Sequence, residues 1–216
     1  MISLLPERIA SILCIGAHAD DIEIGCGGSI LALLAARNDI AVTWVVLSGN
    51  EVRREEARAS AKSFIGDNAS HRIELHDFRD ACFPYSEAQG LKDVFRSLSA
   101  SVQPDLIFTH HGRDAHQDHR FVNELTWQSF RDNLILEYEI PKYEGDLGKP
   151  SVFVPLSKDL ARAKIETTLA AFTSQRDKPW FDADTLNAVM RLRGVESRSP
   201  TGMAEAFHCN KLVFGL

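Results

Sequence analysis

The sequence predicts an α/β fold: a Rossmann-like, mostly parallel sheet with helices on both faces and the active site at the carboxyl ends of the strands. Three observations predict it. Short, almost unbroken apolar runs such as Ser11 to Ala17 (SILCIGA) suit strands buried on both faces. These runs alternate with stretches rich in Ala, Leu, Glu, Lys and Arg, which favour helix, and such alternation implies parallel pairing with right-handed crossovers. The two loops that follow such runs, after Ala17 and after Thr109, are crowded with His and Asp. In sheets of this kind ligands bind beyond the carboxyl ends of the strands.

Taken in order, the first strand at Ser11–Ala17 leads through Gly27-Gly28 into SILALLAAR, whose straight-chain apolar residues suit a helix. Ala41–Leu47 (AVTWVVL) is β-branched and aromatic, hence a strand; Glu51–Phe64 reads as a helix and Arg72–Leu75 as a short strand. A helix at Leu91–Val102, a buried strand at Asp105–Thr109 after Pro104 and a helix at His119–Arg131 follow. The last third is less regular. It predicts a strand at Leu134–Ile140, a Gly- and Pro-containing loop to Pro150, a helix at Lys158–Phe172, a weaker one at Asp184–Arg193 and a final strand near Lys211–Phe214.

A chain of 216 residues fits one α/β domain, here read as 1–216. Its formal charge of −6 argues against nucleic acid, whose binders concentrate Lys and Arg on a face, and points to a small-molecule partner. Cys14, Cys26, Cys82 and Cys209 form no CxxC pair, and Pro6 and Glu7 interrupt the apolar run that a signal peptide needs. A cytoplasmic location is therefore expected. No membrane span is expected either, since the apolar stretch around Ile30 to Ala36 runs at once into Arg37-Asn38-Asp39.

The chemistry lies in the two loops. The first carries His18, Asp20, Asp21 and Glu23 ahead of Gly25-Cys26-Gly27-Gly28. Any one of these residues has an ordinary explanation, Asp20 or Asp21 as a helix N-cap for instance. Packed together at the end of a buried strand, however, they repel or desolvate unless something positive sits there, and a divalent metal answers that need. The second loop, His110 to His119, supplies further ligands. His18, Asp21 and His119 make a two-His, one-carboxylate set with an open position for water, a catalytic arrangement, and leave Asp20 and His116 free to handle protons. The glycine stretch lacks GxGxxG spacing and is read as close strand-to-helix packing.

These residues resemble the PIG-L or LmbE-like zinc-dependent N-deacetylases. The motif (P/A)-H-(P/A)-D-D followed by a Gly pair is matched at His18 to Gly28, and H-x-D-H at His116 to His119. Weaker similarity runs through Arg53 to Ala57, Ser174-Gln175 and Ala204 to Phe207. The resemblance implies a hydrolase that removes an N-acyl group from an N-acetylglucosamine-like amino sugar or sugar conjugate, by zinc-activated water. It assigns zinc, or ferrous iron in the cell, to His18, Asp21 and His119. Asp20 becomes the general base, His116 polarises the amide oxygen and protonates the leaving amine, and Asp118 orients and charges His116. It also implies a homo-oligomer. Arg53 and Asp80 are substrate-contact candidates, and the loop between Tyr138 and Pro155 is expected to select the substrate. Where many relatives carry a Tyr near the active-site mouth, this chain has Met203. Rival readings are a hydrolase of another amide, an ester or a phosphate, a binding module without turnover, and a non-haem iron enzyme, which shares the two-His, one-carboxylate set but usually an all-β scaffold.

Overall fold

A computed structural model describes residues 9–67 and 70–213. Strands β1 (Ser11–Gly16), β2 (Ala41–Ser48), β3 (His71–Phe78), β4 (Leu106–His110), β5 (Leu134–Tyr138), β6 (Val152–Pro155) and β7 (Ala204–His208) form one sheet in the order β3-β2-β1-β4-β5-β7-β6. The first five pair in parallel, and β7 runs antiparallel to both β5 and β6. Helices α1 (Asp21–Ala36), α2 (Glu51–Ile65), α3 (Ala88–Ser101), α4 (Gln117–Ser129), α5 (Lys158–Ala171) and α6 (Ala183–Glu196) cover it.

The unbroken apolar runs are explained by two cores, one on each face. In β1, Ile12 and Cys14 join Trp44, Phe108 and Phe207 under α1 and α2, while Leu13 and Ile15 join Val45, Ile107, Phe95 and Val122 under α3 and α4. Alternation along a strand thus sends apolar side chains both ways. On α3, Leu91, Phe95 and Leu98 are the buried positions, spaced as one helical stripe. Capping is orderly too: Asn50, Ser157 and Asp182 accept from the backbone N–H of Arg53, Leu160 and Thr185.

The structure corrects the expected elements at three places. Helix α1 starts at Asp21, inside the first motif, so Gly25, Gly27 and Gly28 lie within it. A Cβ at Gly25 would run into the Tyr138 ring, one at Gly27 would stand 2.7 Å from Phe64 Cε1, and one at Gly28 would stand 2.5 Å from Leu156 Cδ1. Strand β6 was not expected; four residues ending in Pro make a weak signal at a sheet edge. The final strand is Ala204–His208, whereas residues 211–213 carry no regular structure and Phe214 lies outside the described residues. Glu205, a buried charge at the second position of AEAFH, disguises that strand.

Glu205 reaches α1. Its carboxylate accepts from the backbone N–H of Gly28 at 2.8 Å and Ser29 at 2.6 Å, and pairs with Lys164 Nζ at 2.5 Å, which also donates to the Ile24 carbonyl at 2.6 Å. A buried ion pair is thereby inserted beside the backbone ladder of α1. Among the described residues, no helix is long and apolar enough to cross a membrane.

Candidate active site and metal centre

The strand order reverses between β1 and β4, the switch point where doubly wound sheets bind ligands. All five parallel strands deliver residues there from their carboxyl ends: β1 is followed by His18, Asp20 and Asp21, β2 by Arg53, β3 by Asp80, β4 by His116 and His119, and β5 by Lys142 and Tyr143. They line a cleft of about 230 Å³ together with Lys178 and Trp180, which follow a 3₁₀ turn at Thr173–Gln175.

Three expected ligands converge. His18 Nδ1 lies 3.1 Å from His119 Nε2 and 3.3 Å from Asp21 Oδ2, and His119 Nε2 lies 3.6 Å from Asp21 Oδ1. A tetrahedral ion with bonds of about 2.0–2.1 Å holds its ligand atoms roughly 3.3–3.4 Å apart, close to each of these distances, with Asp21 meeting the two rings through different oxygens. Potential ligand atoms also gather as His18, His116 and His119 and as Asp21, His110 and His119, two sets that share His119. The outward nitrogens fit as well. His18 Nε2 faces Asp80 Oδ1 at 2.9 Å and Asp118 Oδ2 at 3.4 Å, and His119 Nδ1 faces Asp114 Oδ2 at 3.0 Å. Carboxylates behind imidazole ligands fix the tautomer and aim the free lone pair inward. His110, stacked on His119 with ring centres 3.9 Å apart, takes the Ala17 N–H on Nε2 and stands 3.1 Å from Asp21 Oδ2.

The site favours positive charge at that point. Burial opposes a proton on His18, yet Asp118, Asp21 and Asp80 outweigh it and hold its pKa well above the usual value. Burial likewise opposes ionising Asp21, but His119, His110 and His18 keep its pKa well below the carboxylate range. Asp80 is pulled to about 2, chiefly by its bond to His18. His119 moves the other way, to about 4, because it is buried beside His110.

Asp20 sits between β1 and α1 at φ 120°, a conformation that L residues adopt under constraint and that gathers at functional sites. Its Oδ1 accepts from Arg53 Nη2 at 3.0 Å, and Arg53 also grips the Ala19 carbonyl. Oδ2 is buried and has no hydrogen-bond partner among the described residues. Burial raises the Asp20 pKa to about 7, against the pull of Arg53. Arg53, expected at the substrate, lines the cleft and also meets Asp20, the expected base. Arg53→Met should move the acid limb of the pH–rate profile upward, because removing the cation raises the Asp20 pKa further. An unmoved limb with a raised KM would instead return Arg53 to substrate contact.

Asp118 is placed differently from the expectation. Its carboxylate accepts from Ala81 N at 2.7 Å and Phe83 N at 3.1 Å, tying the Asp80 loop to the site, and leans on His18. His116 receives the Asp118 backbone N–H on Nδ1 at 3.3 Å as the N-cap of α4. Its neutral form thus carries the proton on Nε2. Burial and the charge of His18 lower its pKa, where a raised value was expected.

Met203 is not at the mouth. It is buried with Leu156, Ala161 and Met190 and lines a larger groove of about 710 Å³ between α5 and α6 that holds none of the expected site residues. Aromatic surface at the cleft comes from Tyr143 and Trp180, with Lys178 Nζ 5.3 Å from the Trp180 ring centre. Asp114 stood inside the second loop and could have been found from its place between the His residues. Lys142, Tyr143, Lys178 and Trp180 carry no motif, and tertiary folding alone brings them in.

Residues 13–130 match the family described as PIG-L: GlcNAc-PI de-N-acetylase. The uncharacterized deacetylase YaiS of Escherichia coli strain K12 is 32% identical over 137 residues, 60% of this chain and 74% of that protein. The N,N′-diacetylchitobiose deacetylase of Pyrococcus horikoshii, complexed with its inhibitor MPG, superposes with a TM-score of 0.70 at 21% identity, over 94% of this chain and 84% of that one. GalB, the 4-carboxy-2-hydroxymuconate hydratase of Pseudomonas putida KT2440, does so at 0.68 and 19% identity, over 96% and 100%. A deacetylase and a hydratase share this scaffold, so these two likenesses speak for the fold alone.

Proposed function

The chain belongs to the PIG-L family of de-N-acetylases, and from that premise we propose that it is a metal-dependent hydrolase that removes the N-acyl group of an N-acetylglucosamine-like amino sugar or sugar conjugate. The observation that carries this reading is the convergence of His18 Nδ1, Asp21 and His119 Nε2 beside the unpartnered Oδ2 of Asp20. Zinc, or ferrous iron in the cell, is the group these residues would hold. It would polarise the acyl oxygen and acidify water, for zinc to a pKa of about 7.

The chain's own groups account for the protons. Asp20 Oδ2 takes one from the attacking water as the water oxygen bonds to the acyl carbon. His116 Nε2–H donates a hydrogen bond to the oxygen on which charge develops, without needing to be an imidazolium. When the C–N bond breaks, Asp20, in place of His116 as first expected, returns its proton to the amine, and the acetic acid and amino sugar so formed leave as acetate and ammonium. A base with a pKa near the working pH suits both transfers. This reading takes residues 1–216 as one deacetylase domain, with homo-oligomer formation carried over from the family resemblance. Tyr143 and Trp180 are flat apolar surfaces suited to a sugar ring.

Acetate release from a panel of N-acetylated glucosamine derivatives tests the proposal. Release should stop with chelator and return with zinc or ferrous iron. Metal-loaded protein that leaves the whole panel intact would reject it, and turnover confined to esters would favour the rival hydrolase.

A further inference from the structure

Beyond the ligands lies a second loop, residues 141–148, which follows β5 and is tied to the catalytic loop by Lys142. The Lys142 side chain is 9% exposed, and its ammonium meets three acceptors: Asp114 Oδ2 at 2.9 Å, Asp146 Oδ1 at 2.6 Å and the Ile140 carbonyl at 3.2 Å. Asp146 adds a second tie by accepting the Ala115 N–H on Oδ2 at 2.6 Å. Asp114, 3% exposed, has every visible obligation inside this network. Its Oδ1 accepts the His116 N–H at 2.8 Å, and its Oδ2 accepts from Lys142 at 2.9 Å and stands 3.0 Å from His119 Nδ1, a close charge contact rather than an aligned hydrogen bond. Without Lys142, that oxygen would be a buried anion with one imidazole for company, and it would swing toward water and release the ring.

We propose that Lys142 is a positioning residue for the metal centre: through Asp114 it fixes the imidazole plane of His119, and so couples ligand orientation to the loop that carries Tyr143 and Glu144 into the cleft. The inference rests on the metal-dependent reading above. Two features distinguish it from a mere surface ion pair. The three ammonium protons have three acceptors, so the geometry of the head group is set from all sides, and both carboxylates that hold it are themselves bound to the catalytic loop.

Zinc affinity, measured by competition with a chromogenic chelator on the full chain, reads this directly and does not depend on knowing the substrate. Lys142→Met should weaken zinc binding by about 10–100-fold, the range for outer partners of metal ligands. The same substitution in an Asp114→Asn background should add less than about threefold, because residues acting through one network are not additive. Lys142→Arg, which keeps the charge, should retain most of the affinity. Asp146→Asn keeps the Lys142–Asp114 pair and should give a smaller loss, which preserves the test if Lys142→Met does not fold. Unchanged zinc affinity in Lys142→Met, or losses that add fully with Asp114→Asn, would overturn the inference while leaving the metal-dependent reading intact. Wild-type protein that binds neither zinc nor ferrous iron would sink both.

Discussion

Asp20→Asn is expected to keep its metal and to lose about two to four orders of magnitude in turnover, the range for a positioned general base. The substitution is mild in every other respect. Asn tolerates positive φ better than most residues, and its Oδ1 can still accept from Arg53. What it cannot do is take a proton on the second atom, the one Asp20 leaves buried and without a partner among the described residues. The pH dependence carries the same information. Asp20 must be ionised to act, so activity should fall as pH drops through its pKa, at or below about 7, since a metal cation close by lowers the metal-free value. The residual activity of the variant should lack that limb. If turnover stays near wild type, the base lies elsewhere. Glu23, fully buried in α1 and pushed by burial to about 8, does not line the cleft, which leaves His116 to be tested next.

His119→Ala is expected to lose metal and turnover together, by more than the 10–100-fold typical of an outer partner, with the fold preserved. Preservation follows from where the ring sits. His119 stands in the first turn of α4, against His110 and Asp114, while the apolar anchors of that helix, Val122 and Leu125, are one and two turns further on. Metal content by atomic absorption and far-UV circular dichroism on the same sample separate the two effects. Wild-type occupancy in the variant would remove His119 from the ligand set.

The site candidates were legible because metal and proton chemistry admits few residue types, and His18, Asp20, Asp21, His116 and His119 sit in two short segments of sequence. Their partners were less so. Asp118 was expected on His116 from the family resemblance, but a helix that begins at Gln117 turns its carboxylate toward Ala81 and Phe83. Lys142 lies in the loop expected to select the substrate, but nothing local marks it out among its neighbours there, and Trp180 reads as an ordinary loop residue, since nothing local records that the turn after α5 reaches the cleft. In the fold, the parallel strands were plain from unbroken apolar runs. The start of α1 was not, because three glycines within four residues argue against helix until one sees that Tyr138, Phe64 and Leu156 need the space.

The insertion of Lys164 and Glu205 beside α1 bears on how the chain can be divided. Residues 13–130 contain every candidate ligand and both motifs, and on sequence grounds they resemble a self-sufficient module. Yet the Ile24 carbonyl, one turn from Asp21, and the Gly28 and Ser29 amides find partners on α5 and β7, far beyond that boundary. Tyr138 of β5, whose hydroxyl donates to the Ile15 carbonyl at 2.6 Å, fills the notch at Gly25 from outside it too. Cut at 130, the segment would keep its ligands and lose the scaffolding that presents one of them. The family-matched stretch of the molecule is thus a reading frame for the chemistry, and the remainder is its frame in the mechanical sense.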